Sequence, residues 1–226
     1  MKFFIFITIA ISLFAGPPMK SSDPFVPSIG QYEINLSIEF EKKNSTLVRA
    51  PIIDFNYGII ENVQFTLESS YIISDSQKGF DSLEVAFKWP FYRGEIVTIG
   101  LNPKYISYPV DSIFNEGKVY ELTIPMNFSL AQNIDLIADV TYVYPLDGVK
   151  HLEYGTYLKF SQNKHTYFSE VFFEDSPHTN ELFTLVDLGY MYQFHKNIAF
   201  MISLGKEIIA EDKKAVIGYS GLQFVY

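Results

Sequence analysis

Apolar and polar residues alternate along most of the chain, which is the pattern of β-strands. In the segment GQYEINLSIEFE (30–41), every even-numbered residue from Tyr32 to Phe40 is apolar, and every odd-numbered residue from Gln31 to Glu41 is polar. Successive side chains of a strand point to opposite faces, so this segment has one apolar and one polar face. The alternation alone leaves open whether the apolar face packs in a soluble core or meets lipid.

The same two-faced unit, about ten residues long and followed by a short polar break, repeats to the C-terminus. A tilted strand crosses a bilayer in roughly 9–11 residues, so units of this length suit a transmembrane barrel. No segment of comparable length has the period of a helix. We predict about twelve strands: 30–41, 47–57, 63–74, 81–91, 96–108, 119–130, 134–145, 151–161, 166–174, 182–193, 198–206 and 215–226.

Three of the breaks resemble one another in sequence. They are ENVQF (61–65), QNIDL (132–136) and KNIAF (196–200), and they follow the second, sixth and tenth predicted strands. In an up-and-down barrel every even-numbered connection lies on the same rim, which is the periplasmic rim if the N-terminus is periplasmic. The alternative is that a common turn composition recurs by chance.

The N-terminus has the features of a secretory signal peptide. Lys2 precedes an apolar run from Phe3 to Phe14, and the small residues Ala15 and Gly16 follow. The run is too short to span a bilayer comfortably, although a membrane anchor is the alternative interpretation. We predict a signal peptide at 1–15, a flexible lead-in rich in Pro and Ser at 16–29, and a barrel at 30–226. No later apolar run suits a transmembrane helix, so a membrane-embedded form must be a closed barrel.

Tyrosines and the single tryptophan mark both ends of the apolar faces. Aliphatic residues, Phe and Met lie between them, which is the arrangement of an aromatic girdle around a lipid-facing band. A soluble core gives no reason to sort Tyr to both strand ends, so we predict that the apolar face meets lipid. The predicted girdle consists of Tyr32, Tyr57, Trp89, Tyr167, Tyr192 and Tyr226 near the periplasmic rim, and of Tyr71, Tyr105, Tyr120, Tyr142 and Tyr154 near the other rim.

The C-terminal sequence YSGLQFVY resembles the assembly signal of bacterial outer-membrane barrels. Tyr219, Gly221, Phe224 and Tyr226 occupy the places of its polar residue, its glycine and its two aromatic or apolar residues. The resemblance implies that the barrel assembly machinery and outer-membrane lipid are partners. We therefore predict an all-β fold: an antiparallel up-and-down barrel in the bacterial outer membrane, in which 30–41 closes against 215–226.

The segment RAPIIDFNYGIIENVQFTL (49–67) carries a more specific resemblance. Its Pro51, the run 57–59 (Tyr-Gly-Ile) and the run 62–64 (Asn-Val-Gln) resemble the second hairpin of a family of transporter-like outer-membrane proteins assigned to the meta-cleavage pathway of phenol degradation. The resemblance implies a barrel that passes small, often apolar molecules.

The polar face of the predicted strands carries more carboxylates than lysines. Such a lining attracts cations, and some of its carboxylates must pair with the lysines. Twelve strands lie between the eight-stranded barrels that side chains fill and the 16–18-stranded barrels with broad channels. The lumen is therefore either open and cation-preferring, or plugged by its own side chains and the lead-in. The predicted lumen residues are Glu33, Glu39, Asp54, Glu68, Glu84, Lys88, Lys104, Glu121, Asp135, Asp139, Glu153, Lys159, Glu170 and Asp187.

Composition and histidine placement narrow the remaining functions. A net charge of −9 argues against nucleic acid as a partner, and the absence of Cys excludes thiol chemistry. His178, with Glu174 and Asp175, lies in the break EDSPHTNE, which lacks the glycine of a calcium loop. We predict no metal, no cofactor and no enzymatic activity, and a channel for small cationic or apolar solutes. The rivals are a structural or surface-interaction barrel with a plugged lumen, a barrel enzyme acting on lipid or peptide, and a secreted soluble barrel.

Overall fold

The computed structural model describes residues 18–75, 78–109, 117–175, 182–209 and 214–226. Each strand pairs antiparallel with its neighbours in sequence, and the first also pairs with the last, so the sheet closes into a barrel. This confirms the predicted up-and-down topology and the closure of 30–41 against 215–226. No helix among these residues is long and apolar enough to cross a membrane. The described residues form twelve strands: β1 (Tyr32–Lys42), β2 (Thr46–Ile60), β3 (Val63–Ser74), β4 (Lys78–Arg93), β5 (Val97–Ser107), β6 (Lys118–Ala131), β7 (Ile134–Pro145), β8 (His151–Gln162), β9 (His165–Asp175), β10 (Leu182–His195), β11 (Ile198–Glu207) and β12 (Val216–Val225).

The burial of β1 shows which face is which. Glu33 is only 2% exposed, whereas Leu36 is 42% exposed and Ile38 is 51% exposed. Polar side chains therefore point into the barrel, and large apolar side chains cover its outside. A soluble barrel has the opposite arrangement, so an aqueous exterior does not fit this surface.

The two rims of the barrel differ in their connections. Two-residue turns at 61–62, 132–133, 163–164 and 196–197 join strands on the rim where β1 begins and β12 ends. We call this the turn rim and the opposite one the loop rim. The three similar breaks all lie on the turn rim, as the alternation predicted. Asn62 has a φ of 63°, a left-handed conformation that Asn tolerates better than most residues.

A β-bulge changes the direction of a charged side chain in β2. The pairing of β1 with β2 shifts between Ile52 and Arg49, so two residues of β2 lie opposite Ile38. Strict alternation back from Ile53 would place Arg49 on the outer face. The extra residue in the bulge turns Arg49 inward instead, directly opposite Glu39.

The segment that precedes β1 lies inside the barrel. Ser21 is 1% exposed and Asp23 is 3% exposed, because strands surround them. The chain reverses at the turn rim, where Gly30 has a φ of 78° and its N–H donates to the carbonyl of Gly58 over 2.9 Å. Glycine adopts this left-handed conformation without steric cost. Residues 18–29 thus run from inside the lumen to the turn rim.

Replacing Asn35 and Gln223 by Cys should give a disulfide that ties β1 to β12. These residues are directly opposed and both point inward, and the natural chain has no cysteine. Directly opposed residues place their Cβ atoms about 4.5–5.5 Å apart, close to the separation in a disulfide. After oxidation and boiling, the linked chain should migrate differently on electrophoresis from the same protein after reduction.

The control for this crosslink is Leu36→Cys with Gln223→Cys, because these side chains leave opposite faces of the wall. It should remain reduced under the same conditions. An unlinked Asn35/Gln223 pair, or an equally linked control, would contradict the closure and its register.

Candidate functional site

The lumen wall formed by β1, β2 and β3 carries a network of carboxylates held by amides. The Asn35 side-chain amide donates to Glu33 over 2.9 Å and to Asp54 over 2.9 Å. Asn56 donates to the same Asp54 oxygen over 2.9 Å, and Gln64 donates to Asn56. Alternating polar residues on adjacent strands bring these groups together, and the amides compensate part of the cost of burying carboxylates.

A row of carboxylates crosses three adjacent strands next to this network. Asp54 of β2 lies directly opposite Glu68 of β3, which lies directly opposite Glu84 of β4. Like charges in opposed positions disfavour folding, and departures from local folding rules of this kind are typical of functional surfaces. We call these three residues the acidic row.

Basic residues neutralise only part of this charge. Lys104 lies 3.3 Å from Glu84 and 3.2 Å from Glu121, so one ammonium serves two carboxylates. Arg49 bridges Glu39 over 2.6 Å and Asp81 over 3.0 Å. These pairs fix the side chains in place and leave the wall with a net negative charge.

The opposite part of the wall is apolar near the turn rim. The alternation predicted a polar lumen throughout, so this apolar cluster is a departure from it. The lead-in contributes Met19 to the same cluster, and β12 contributes Tyr219. The signal that could have shown it is the presence of large apolar residues on the otherwise polar face of β7 to β11. The cluster consists of Ile137, Tyr157, Phe168, Met191, Ala199 and Met201.

Two wall carboxylates hold the main chain of the lead-in. Glu170 accepts the N–H of Ser21 over 2.7 Å and the N–H of Lys20 over 3.0 Å. Asp139 accepts the N–H of Ser22 over 2.7 Å. Three consecutive backbone donors therefore face two carboxylates, and such charge-assisted hydrogen bonds are the stronger kind.

Ion pairs hold the side chains of the same segment. The Lys20 ammonium lies 3.6 Å from Glu39, whose charge raises the pKa of this lysine above its usual value. Asp23 lies 3.4 Å from Lys88, so an inward lysine of β4 pairs with the lead-in. The lead-in thus crosses the lumen from the apolar cluster to the charged wall.

Two cavities remain beside the lead-in. One has a volume of about 190 Å³ and is bordered by Lys20, Asn35, Glu39 and Asp187, among others. The other has a volume of about 130 Å³ and is bordered by Ser22, Gln64 and Lys88. Asp54 and Glu68 of the acidic row border both cavities. Both of these spaces are small and lie against the acidic wall.

The predicted lumen residues occupy alternate strand positions on the inner side. Which of them contacts a solute stays a prediction. Four of them have these surroundings: Asp187 accepts a hydrogen bond from Ser203, Asp135 accepts one from Ser129, the Lys159 ammonium lies over the Phe25 ring, and Glu153 lies near the loop rim. The contacts of the other ten are given above: Glu33, Glu39, Asp54, Glu68, Glu84, Lys88, Lys104, Glu121, Asp139 and Glu170.

Charged inward residues that the alternation missed have identifiable causes. Arg49 and Asp81 lie at register shifts of β2 and β4, where strict alternation fails. Glu207, the last residue of β11, lies one position beyond the predicted end of that strand. Its carboxylate accepts a hydrogen bond from the Ala215 N–H over 2.9 Å. Lys20 and Asp23 belong to a segment whose path the alternation of the strands does not predict.

The predicted girdle residues lie on the outer face near the two rims. Tyr32 stacks on Tyr226 with ring centroids 5.4 Å apart, and Tyr105 contacts Tyr120 at 5.2 Å. In the C-terminal motif, Tyr219 points inward and lines the larger cavity, whereas Tyr226 points outward at the seam between β1 and β12. Recognition of this motif by the assembly machinery stays a prediction.

One group near the loop rim could hold a metal ion. His151, Glu153 and Glu174 each offer a ligand atom, and these atoms lie within 4.8 Å of one another. The His151 Nε2 atom is 3.5 Å from Glu153. His178, the candidate residue of the enzyme alternative, lies outside the described residues.

Comparison with known proteins places the fold among outer-membrane barrels. The KdgM porin has a TM-score of 0.62 at 11% identity and covers 84% of this chain and 98% of its own. The NanC porin has a TM-score of 0.63 at 9% identity, with the same coverage. An outer-membrane channel from Pseudomonas putida F1 has a TM-score of 0.62 at 13% identity and covers 92% of this chain and all of its own. No family model and no curated protein matches the sequence.

At these identities the similarity establishes the fold and not the activity. The translocator domain of the autotransporter NalP from Neisseria meningitidis also matches, with a TM-score of 0.58 at 12% identity. The shared fold and the apolar outer surface together place this chain in the bacterial outer membrane, as predicted. The membership in the phenol-degradation family is left undecided by these matches.

Arg49→Gln should destabilise the barrel strongly, because it removes the cation between Glu39 and the buried Asp81. Removing one partner of a buried pair costs roughly 3–5 kcal/mol, and access of water to the lumen makes this an upper limit. Urea unfolding in detergent, followed by the fluorescence of the single tryptophan, measures the loss.

The matched control is Lys43→Gln, which breaks the more exposed pair with Glu207. The Lys43 ammonium is 41% exposed, and the buried Glu207 carboxylate keeps its hydrogen bond from the Ala215 N–H, so we expect a loss of about 1 kcal/mol or less. Equal losses in the two variants would contradict a structural role for the bridge that Arg49 makes.

Proposed function

We propose that this protein is a narrow outer-membrane channel for small solutes that prefers cations. The observation that carries the proposal is the acidic row, Asp54, Glu68 and Glu84, which borders the free space of the lumen. Carboxylates in a narrow, low-dielectric lumen concentrate cations and repel anions. The fold similarity to porins and channels supports passage through the lumen, and the choice of solute rests on the wall.

The size of the free space supports a narrow path. The cavities of about 190 and 130 Å³ suit small solutes rather than folded chains. Twelve strands enclose a lumen between the filled eight-stranded barrels and the wide porins. We therefore expect small current steps rather than those of a general porin.

Apolar or aromatic solutes are the second candidate cargo. The apolar cluster, which includes Phe168 and Met201, favours them, as does the resemblance of residues 49–67 to the phenol-degradation family. The CymD monoaromatic hydrocarbon channel shares the fold with a TM-score of 0.53 at 7% identity. A solute with both a ring and an ammonium would use both parts of the wall.

Two rival functions remain testable alternatives. In a structural or surface-interaction barrel, the lead-in and the wall side chains would block all passage. A barrel enzyme would need a catalytic group at the loop rim, and lipid or peptide hydrolysis that is lost in His178→Ala would support it. Outer-membrane lipid and the barrel assembly machinery remain our proposed partners in every case, since each alternative requires insertion of the same barrel.

The double variant Asp54→Asn/Glu68→Gln should lower cation selectivity, because it removes two carboxylates that border both cavities. In planar bilayers with a KCl gradient, we expect the reversal potential of the natural protein to indicate K⁺ preference. The reversal potential of the variant should move toward zero.

The matched control is Glu61→Gln/Glu95→Gln, which removes the same charge from two exposed turns on the turn rim. Its reversal potential should stay near that of the natural protein. Selectivity that is unchanged in the lumen variant would contradict the role of the acidic row, and the absence of any current from folded protein would favour the plugged barrel.

Benzylammonium should block the KCl current at lower concentration than ethylammonium, because its ring can contact the apolar cluster while its ammonium binds carboxylates. Met201→Gln should reduce this difference, since Met201 is fully buried in that cluster. Block by ethylammonium serves as the internal control. Equal block by the two cations in the natural protein would remove the support for apolar cargo.

A further inference from the structure

The lead-in is attached to the wall differently from the strands. Residues 20–22 make their hydrogen bonds to the side chains of Glu170 and Asp139, and not to a strand backbone. Lys20 and Asp23 make their ion pairs with the wall side chains Glu39 and Lys88. Removal of this segment would therefore leave the hydrogen-bond ladder of the barrel intact.

The wall is shaped around this segment. A Cβ atom built on Gly155 would overlap the Ser21 hydroxyl, and one built on Gly189 would overlap the end of the Met19 side chain. At the turn rim, a Cβ atom on Gly58 would overlap the Ser28 carbonyl oxygen. Glycines on three different strands thus leave the space that the lead-in fills, which indicates a specific seat for it.

The groups that face the lead-in and its cavities are mostly hydrogen-bond acceptors. Among the described residues, neither Glu170 nor Asp139 forms an ion pair with a basic side chain. Glu170 accepts two backbone N–H groups of the lead-in, and Asp139 accepts one from the lead-in and one from Gly155 of the wall. Buried oxygens of Asn35, Gln64 and Asp187 border the cavities and have no hydrogen-bond partner in the described structure. A surface of this kind is complementary to donors that carry positive charge.

We propose that residues 18–23 are a displaceable plug, tethered at the turn rim, which occupies a binding site for cationic solutes with several N–H donors. The Lys20 ammonium and the three backbone N–H groups of residues 20–22 occupy the positions where the donors of such a solute would bind. A polyamine carries the same donors and can replace them at Glu39, Asp139 and Glu170. The inference rests on the proposed channel and adds the solute class and the means of opening.

A disulfide between Ser21→Cys and Gly155→Cys can hold the plug in its seat. The Cβ atom of Ser21 lies 3.4 Å from the position of a Cβ atom on residue 155, close to the separation in a disulfide. The natural chain has no cysteine, so this would be the sole disulfide. We expect loss of current steps in the oxidised protein in planar bilayers, and their return when a reductant is added to the same membrane.

The matched control is a disulfide within the wall, Thr123→Cys/Thr141→Cys. These residues are directly opposed on β6 and β7, and their hydroxyl oxygens lie 2.9 Å apart. Among the described residues, their side chains hydrogen-bond to each other and not to the lead-in. Its current should not depend on reductant. If the current is the same before and after reduction of the disulfide between positions 21 and 155, the plug proposal is wrong and the channel proposal is unaffected. If the reduced protein shows no current, the channel proposal is wrong.

Spermidine tests the class of solute in a separate measurement that needs no current. If it displaces the plug, it should slow formation of the link between positions 21 and 155, because the two thiols are then apart. The wall pair at 123 and 141 should oxidise at an unchanged rate, as should both pairs in KCl of matched ionic strength. An unchanged rate of disulfide formation between positions 21 and 155, or equal slowing of both pairs, would contradict the proposed site. Failure of the disulfide between positions 21 and 155 to form without spermidine would also contradict it.

Discussion

The pairing of β1 with β12 is the constraint on which the rest of this structure depends. Lipid offers no hydrogen-bond partner to backbone N–H and C=O groups, so every strand must be paired on both sides. Closure satisfies the two edges that an open sheet would expose. It also assigns one face of every strand to lipid and the other to the lumen, which gives the alternation its physical meaning.

The closed wall creates an interior that the chain has to fill or use. Its two parts differ chemically, because β1 to β6 supply the acidic row and its amide and lysine partners, whereas β7 to β11 supply the apolar cluster. The lead-in lies between them, with Met19 on the apolar part and Lys20 at Glu39. In the channel we propose, solute choice and opening would therefore depend on the same few side chains.

Most of the architecture could be predicted because its determinants are local. A period of two, breaks with turn residues and aromatic strand ends are read one strand at a time, and they indicate strand number, topology and the lipid-facing side. The errors occur where local periodicity fails. In β2 and β4 the register shifts bring Arg49 and Asp81 inside, and in β11 one further residue brings in Glu207.

The sequence by itself determined a twelve-stranded membrane barrel with an acid-rich inner face, since alternation in lipid permits few other solutions. Only the tertiary structure decided which inward residues meet. The acidic row, the bridge from Glu39 through Arg49 to Asp81, and the hold of Glu170 on Ser21 join residues far apart in the chain. Their contacts depend on register and on the path of the lead-in, and neither follows from the periodicity of a single strand.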